Sequence, residues 1–82
     1  MKEYERLLER ITVDPNVLVG KPCIRGMRIS VVQVLDALAA GVSPKELLEE
    51  YPVLELEDIK AALLYARELV AMDQVYPVGK PG

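Results

Sequence analysis

The sequence predicts a mainly α-helical fold, in which three short helices follow a small β-hairpin or sheet. Three observations carry that prediction. Apolar residues recur at helical spacing over three stretches between Val31 and Asp73, two of those stretches open on a serine, and residues 20–30 read as a tight reversal around Arg25-Gly26.

Taken in order, Tyr4, Leu7, Leu8 and Ile11 lie at i, i+3, i+4 and i+7 with Glu and Arg between them, which predicts a short amphipathic N-terminal helix that folds when docked. Ile11-Thr12-Val13 then reads as a strand stopped by Asp14-Pro15-Asn16, and Val17-Leu18-Val19 as an extended run into Gly20. Pro22 to Ile24 and Met27 to Ile29 are β-favouring arms on either side of Arg25-Gly26, whose glycine supplies the positive φ of a two-residue turn. The preceding strand is expected to add to this hairpin and make a small sheet.

Ser30 stands as N-cap to a helix from Val31 to Ala40, with Val31, Val34, Leu35 and Leu38 on one face and Gly41 as its stop. Ser43, Pro44 and Glu46 form a capping box with proline at the first helical position, opening a helix from Pro44 to Tyr51 that Pro52 ends. Two amphipathic helices joined by Gly-Val-Ser give a helix-turn-helix outline. The longest helix is expected over Leu56–Asp73, with Glu55, Glu57 and Asp58 complementing its dipole. Leu56, Ile59, Leu63, Ala66 and Val70 mark its main stripe, and Ala62, Leu64, Tyr65 and Leu69 widen the apolar surface beyond one face. Either the N-terminal helix covers the excess or a twofold dimer does; the dimer reading places its interface at Leu63, Leu64, Ala66, Leu69 and Val70. Residues 1–75 make a single domain and residues 76–82 a flexible tail rich in Pro and Gly.

At 82 residues the chain buries a modest core, built from Leu, Val, Ile and Ala because Trp and Phe are absent. The net charge of −3 argues against a surface that coats nucleic acid. Charge is also uneven. Residues 1–30 carry six basic and four acidic side chains, whereas residues 43–73 carry three basic and eight acidic ones. No signal-peptide pattern opens the chain and no apolar run reaches the ~20 residues of a membrane span, so a cytoplasmic protein without a membrane partner is expected.

The inventory of side chains points away from catalysis. Histidine is absent, which removes His-based triads and the usual zinc sites, so no metal is expected. Cys23 reads as a small buried hydrophobe more readily than as a thiolate. Gly20-Lys21 fails as a phosphate loop, with Pro15 where the first glycine belongs and Pro22 where Ser or Thr should follow. The neighbours Glu49-Glu50 and Glu57-Asp58 read as solvated faces and helix-start charges. No catalytic residue and no cofactor is expected.

Lys21, Arg25 and Arg28 make the hairpin basic. They either rest on phosphates as a wing or pair with acidic helices of this fold or a second subunit. A DNA-reading helix needs basic or amide side chains, yet the second helix offers Lys45 against Glu46, Glu49 and Glu50, and the third opens on Glu57 and Asp58 and offers Lys60 and Arg67. Lys21, Arg25, Arg28, Lys45 and Lys60 are therefore the candidates for contact with nucleic acid or a protein partner.

Ile11-Thr12-Val13-Asp14-Pro15, Gly20 to Ile29, Gly41 to Leu48 and Tyr51-Pro52-Val53-Leu54, followed by Glu57 to Ala66, closely resemble the domain of unknown function 433 family over residues 11–66. The resemblance implies a homeodomain-like helix-turn-helix core of three helices with a leading hairpin. It also implies an antitoxin of a toxin and antitoxin pair, one that dimerises, binds and blocks a PIN-like nuclease, and in some members represses its own operon through operator DNA. Glu55 and Met27 stand where the family pattern usually has Thr-like residues, which implies a weaker cap on the third helix and a more apolar hairpin. A non-enzymatic binding module, probed first through its neighbouring gene's product, is the reading that results, with a DNA-binding regulator as the alternative.

Overall fold

The computed structural model describes residues 2–72 and shows a mainly helical fold with a small antiparallel sheet near the N-terminus. Four α-helices, α1 (Lys2–Leu8), α2 (Val31–Ala39), α3 (Pro44–Glu50) and α4 (Leu56–Met72), surround two two-residue strands, β1 (Ile11–Thr12) and β2 (Cys23–Ile24). The end of the predicted domain, the tail and Asp73 lie outside the described residues.

The strands pair with Ile11 opposite Ile24 and Thr12 opposite Cys23. At the turn, Arg25 (φ 45°) and Gly26 (φ 74°) both take positive φ, and the Met27 amide donates to the Ile24 carbonyl at 2.8 Å, as in the primed turns that match strand twist. The second arm of the predicted hairpin does not form a strand. The reversal consumes Arg25–Arg28 rather than two residues, so pairing resumes only where the Ile24 amide donates to the Ile29 carbonyl and the Val31 amide to the Pro22 carbonyl, each at 2.9 Å, around a single bridge between Cys23 and the still-extended Ser30.

Val17-Leu18-Val19 is also not extended. Leu18–Gly20 forms a single 3₁₀ turn in which Leu18 (φ 47°), Val19 (φ 57°) and Gly20 (φ 80°) are all left-handed. The Asn16 amide donates to the Asp14 carboxylate and the Val17 amide to the Asp14 carbonyl, so an aspartate-led turn outcompetes the β preference of the valines.

Ser30 and Ser43 each close a full capping box, with Gln33 and Glu46 as the reciprocal partners, and Pro44 holds the first turn of α3. The Val42 amide reaches back to the Ala37 carbonyl at 3.0 Å, with Gly41 at φ 95° making the reversal. Ile24, Val31, Val34, Leu47, Leu54, Ile59 and Ala62 form the core, so sheet, α2, α3 and α4 share one apolar centre. On α4 the buried residues are Asp58, Ile59, Ala61 and Ala62. Leu56, Leu63 and Val70 from the predicted main stripe are 45%, 49% and 74% exposed, because Ile59 and Ala62 set the helix's rotation on the core and these heptad-spaced residues fall outside it. No described helix is long and apolar enough to cross a membrane.

Candidate partner-binding surface

The site is built on the charges, and its centre is a carboxylate that the sequence marks as a helix-start charge without showing its burial. Asp58 is fully buried. The register of the sheet explains how its partners arrive: one step beyond Ile11 and Ile24, the Arg25 amide donates to the Arg10 carbonyl at 2.7 Å, which makes the two arginines cross-strand neighbours. Arg10 Nη1 donates to Asp58 Oδ1 at 2.9 Å, Arg25 Nε to Oδ1 at 3.0 Å and Arg25 Nη2 to Oδ2 at 2.9 Å. The Glu55 amide donates to Oδ2 at 2.8 Å. Arg25 Nη2 also donates to the Val53 carbonyl and Arg10 Nη1 to Glu55 Oε1, each at 2.8 Å.

Asp58 is thus half of a capping box for α4, while the Glu55 side chain, which would supply the other half, turns away to Arg10. Burial pushes the Asp58 carboxyl up, but the Arg25 guanidinium, the Glu55 amide and Arg10 outweigh it and hold it below the ordinary aspartate value. The same bonds, donated by Arg10 to Glu55 and Asp58 and by Arg25 to Asp58, raise both guanidinium values. Of the two roles open to Arg25 in the sequence, the structure shows the intramolecular one. Asp58 is a helix-start charge of α4 as expected, but a buried one, whereas Glu57 beside it is exposed.

The other basic candidates are not gathered. Lys21, Arg28, Lys45 and Lys60 are all exposed and make no ion pair among the described residues. Lys21 follows the left-handed turn and lines a cavity of about 360 Å³ with Leu18, Val19, Ser30, Val32 and Gln33. Lys45 stands on α3 among the exposed Glu46, Glu49 and Glu50. The Ser43 amide, then its hydroxyl, hold the Glu46 carboxyl below its ordinary value. Cys23 is buried, its thiol donating to the Lys21 carbonyl at 3.2 Å.

Of the residues assigned to a dimer interface, Leu63 (49% exposed) and Leu64 line an open groove of about 470 Å³ between α1 and α4, together with Glu3, Tyr4, Leu7, Lys60 and Arg67. Ala66 is half-buried, and Leu69 and Val70 are exposed on the last turns of α4. Of the two covers foreseen for the wide apolar surface, α1 does pack on α4, but its seven residues leave Leu63 half exposed. Sequence reasoning missed Arg10 and the partnering role of Asp58, whereas the packing of α1 on α4 was one of its two alternatives. Arg10 carried no pattern of its own; only the strand register sets it beside Arg25.

Comparison with known proteins agrees with this architecture. Over 58 residues, 71% of this chain, the sequence is 41% identical to the uncharacterized protein y4eO of Sinorhizobium fredii (strain NBRC 101917 / NGR234), and the match spans about a quarter (26%) of that protein's length. The fold superposes with a TM-score of 0.71 and 34% identity on a crystal structure described as a DUF433 member protein from Anabaena variabilis ATCC 29413, covering 85% of this chain and 70% of that one. The family model "Protein of unknown function (DUF433)" matches residues 11–66, the segment that contains the sheet, α2, α3, Asp58 and Arg25, and this chain belongs to that family.

Proposed function

We propose that this protein is a non-enzymatic module that binds another protein, acting as the antitoxin that neutralises a PIN-like nuclease. The observation that carries the preference for a protein partner over DNA is the fate of Arg25. Its guanidinium is spent on Asp58 and Val53, so the basic hairpin loses its central cation to the fold. The exposed side of α3 meanwhile presents Glu46, Glu49 and Glu50 against Lys45, a surface suited to a basic partner and repelled by phosphates. The antitoxin role rests on the family resemblance. Coexpression with the product of the neighbouring gene tests it: a complex that withstands purification and suppresses that product's nuclease activity is expected, and a free, fully active nuclease in the presence of excess protein overturns it.

A second reading, a helix-turn-helix regulator of its own operon, is favoured by Lys21 and Arg28, which are exposed and unpaired among the described residues. It requires a mobility shift of the promoter fragment that weakens steeply with salt and disappears in Arg28→Glu. No shift at low salt, with and without the protein partner, removes it.

A further inference from the structure

We propose that the groove between α1 and α4 receives an amphipathic helix of a different protein, one whose apolar stripe is bordered by Asp or Glu. The site is separate from the acidic face of α3 and does not depend on the antitoxin reading.

Tyr4 and Leu7 of α1 and Leu63 and Leu64 of α4 form an apolar floor, and Lys60 and Arg67 stand at its two ends along α4. On α4 the positions 60, 63, 64 and 67 stand at i, i+3, i+4 and i+7, so Lys60 and Arg67 lie on the same face as the two leucines, one turn before and one turn after them, and close the ends of an apolar floor that spans two turns, the footprint that a helix laid in a groove requires. Lys60 makes no ion pair among the described residues. Arg67 Nη1 holds its chain neighbour Glu68 at 3.0 Å, but its side chain is 67% exposed and such a contact is easily exchanged. Glu3 is the one carboxylate among the lining residues, against two cations.

A second copy is the competing occupant, and the charges disfavour it. Leu56, Leu63 and Val70 are one heptad apart, and an antiparallel twofold pairing centred on Leu63 would set Leu56 against Val70. The same operation brings Lys60 of one copy level with Arg67 of the other, to within about one residue, roughly 1.5 Å along the axis. Residues on the same edge face each other in antiparallel pairs, so cation would meet cation. An acidic edge on a foreign helix removes that conflict.

Selection of a displayed library of helical peptides against the full 82-residue chain tests the proposal. Enriched peptides are expected to carry apolar residues at i, i+3 or i+4, and i+7, with Asp or Glu beside them. A Lys-flanked version of a selected peptide should bind about five- to tenfold more weakly, as two partly exposed ion pairs allow. Leu63→Glu, at a half-exposed position, should abolish enrichment while retaining the helical circular dichroism and thermal transition of the parent. Lys60→Glu with Arg67→Glu should reverse the preference to basic flanks. The proposal is overturned if no peptide is enriched, or if enrichment survives Leu63→Glu or ignores flank charge. It is also overturned if light scattering shows a dimer that Leu63→Glu dissociates, or if removing residues 73–82 is needed before peptides bind, which would make the chain's own tail the occupant.

Discussion

Asp58 keeps its negative charge in a place where water cannot reach it, because four hydrogen bonds from Arg10, Arg25 and the Glu55 amide saturate its two oxygens. Asp58→Asn preserves the volume and removes the charge, leaving Arg10 and Arg25 as adjacent cations. Both arginines keep partial access to solvent, with side-chain exposures of 28% and 37%, so the cost should be that of lost charged hydrogen bonds, about 2–3 kcal/mol in urea unfolding, and less than for a sealed pair. Val19 makes the opposite case. A β-branched residue at φ 57° is strained, and with 93% of its surface exposed the side chain gains little packing in return. Val19→Asn, which tolerates the left-handed region, should raise stability by about 0.5–1 kcal/mol by the same measurement.

At the scale of elements, the two serine caps do the same job in different surroundings. Ser30 is buried and Ser43 exposed, so the amide freed by truncation finds water at α3 more readily than at α2. Ser43→Ala should cost about 0.5–1 kcal/mol and Ser30→Ala about 1–2 kcal/mol, read from thermal unfolding of the two variants. These caps, with Pro44 and Gly41, are why α2 and α3 were legible from sequence to within a residue: their boundaries are fixed by side chains within three positions of them. The hairpin's second arm and the 17–20 turn were not legible. There local β preference lost to a reversal that takes in Met27 and Arg28, closed by the Met27 amide on the Ile24 carbonyl, and to an aspartate-led turn at Asp14. The rotation of α4 was only half legible: Ile59 is buried as its place on the predicted stripe requires, but Leu56, Leu63 and Val70 on the same stripe are not, because Ala61 and Ala62 turn inward beside it.

For the whole molecule, pH is the lever on the same charges. The Asp58 carboxyl is held below its ordinary value in the folded state, so its stabilising contribution is complete above the unfolded value near 4 and is lost as pH falls through the lower folded value. Glu46, lowered by the Ser43 amide, acts in the same direction. Unfolding free energy should therefore be level through neutral pH and decline below about pH 4, with a shallower acid limb in Asp58→Asn. The candidate site was only partly legible. The burial of Cys23 followed from pattern. The convergence of Arg10, Arg25 and Asp58 did not, because it joins residues up to 48 positions apart through a strand register of two pairs.

That long-range tie bears on the order of assembly. Two residue pairs cannot hold a ribbon against chain entropy, and the adjacent guanidiniums repel until the first turn of α4 supplies its carboxylate. The capped α2 and α3 can form from nearby contacts, whereas the ribbon must wait for the last helix to arrive. In stopped-flow experiments Arg25→Ala and Asp58→Asn should accelerate unfolding and leave the refolding rate almost unchanged, marking this junction as the last part of the chain to lock and the first to release.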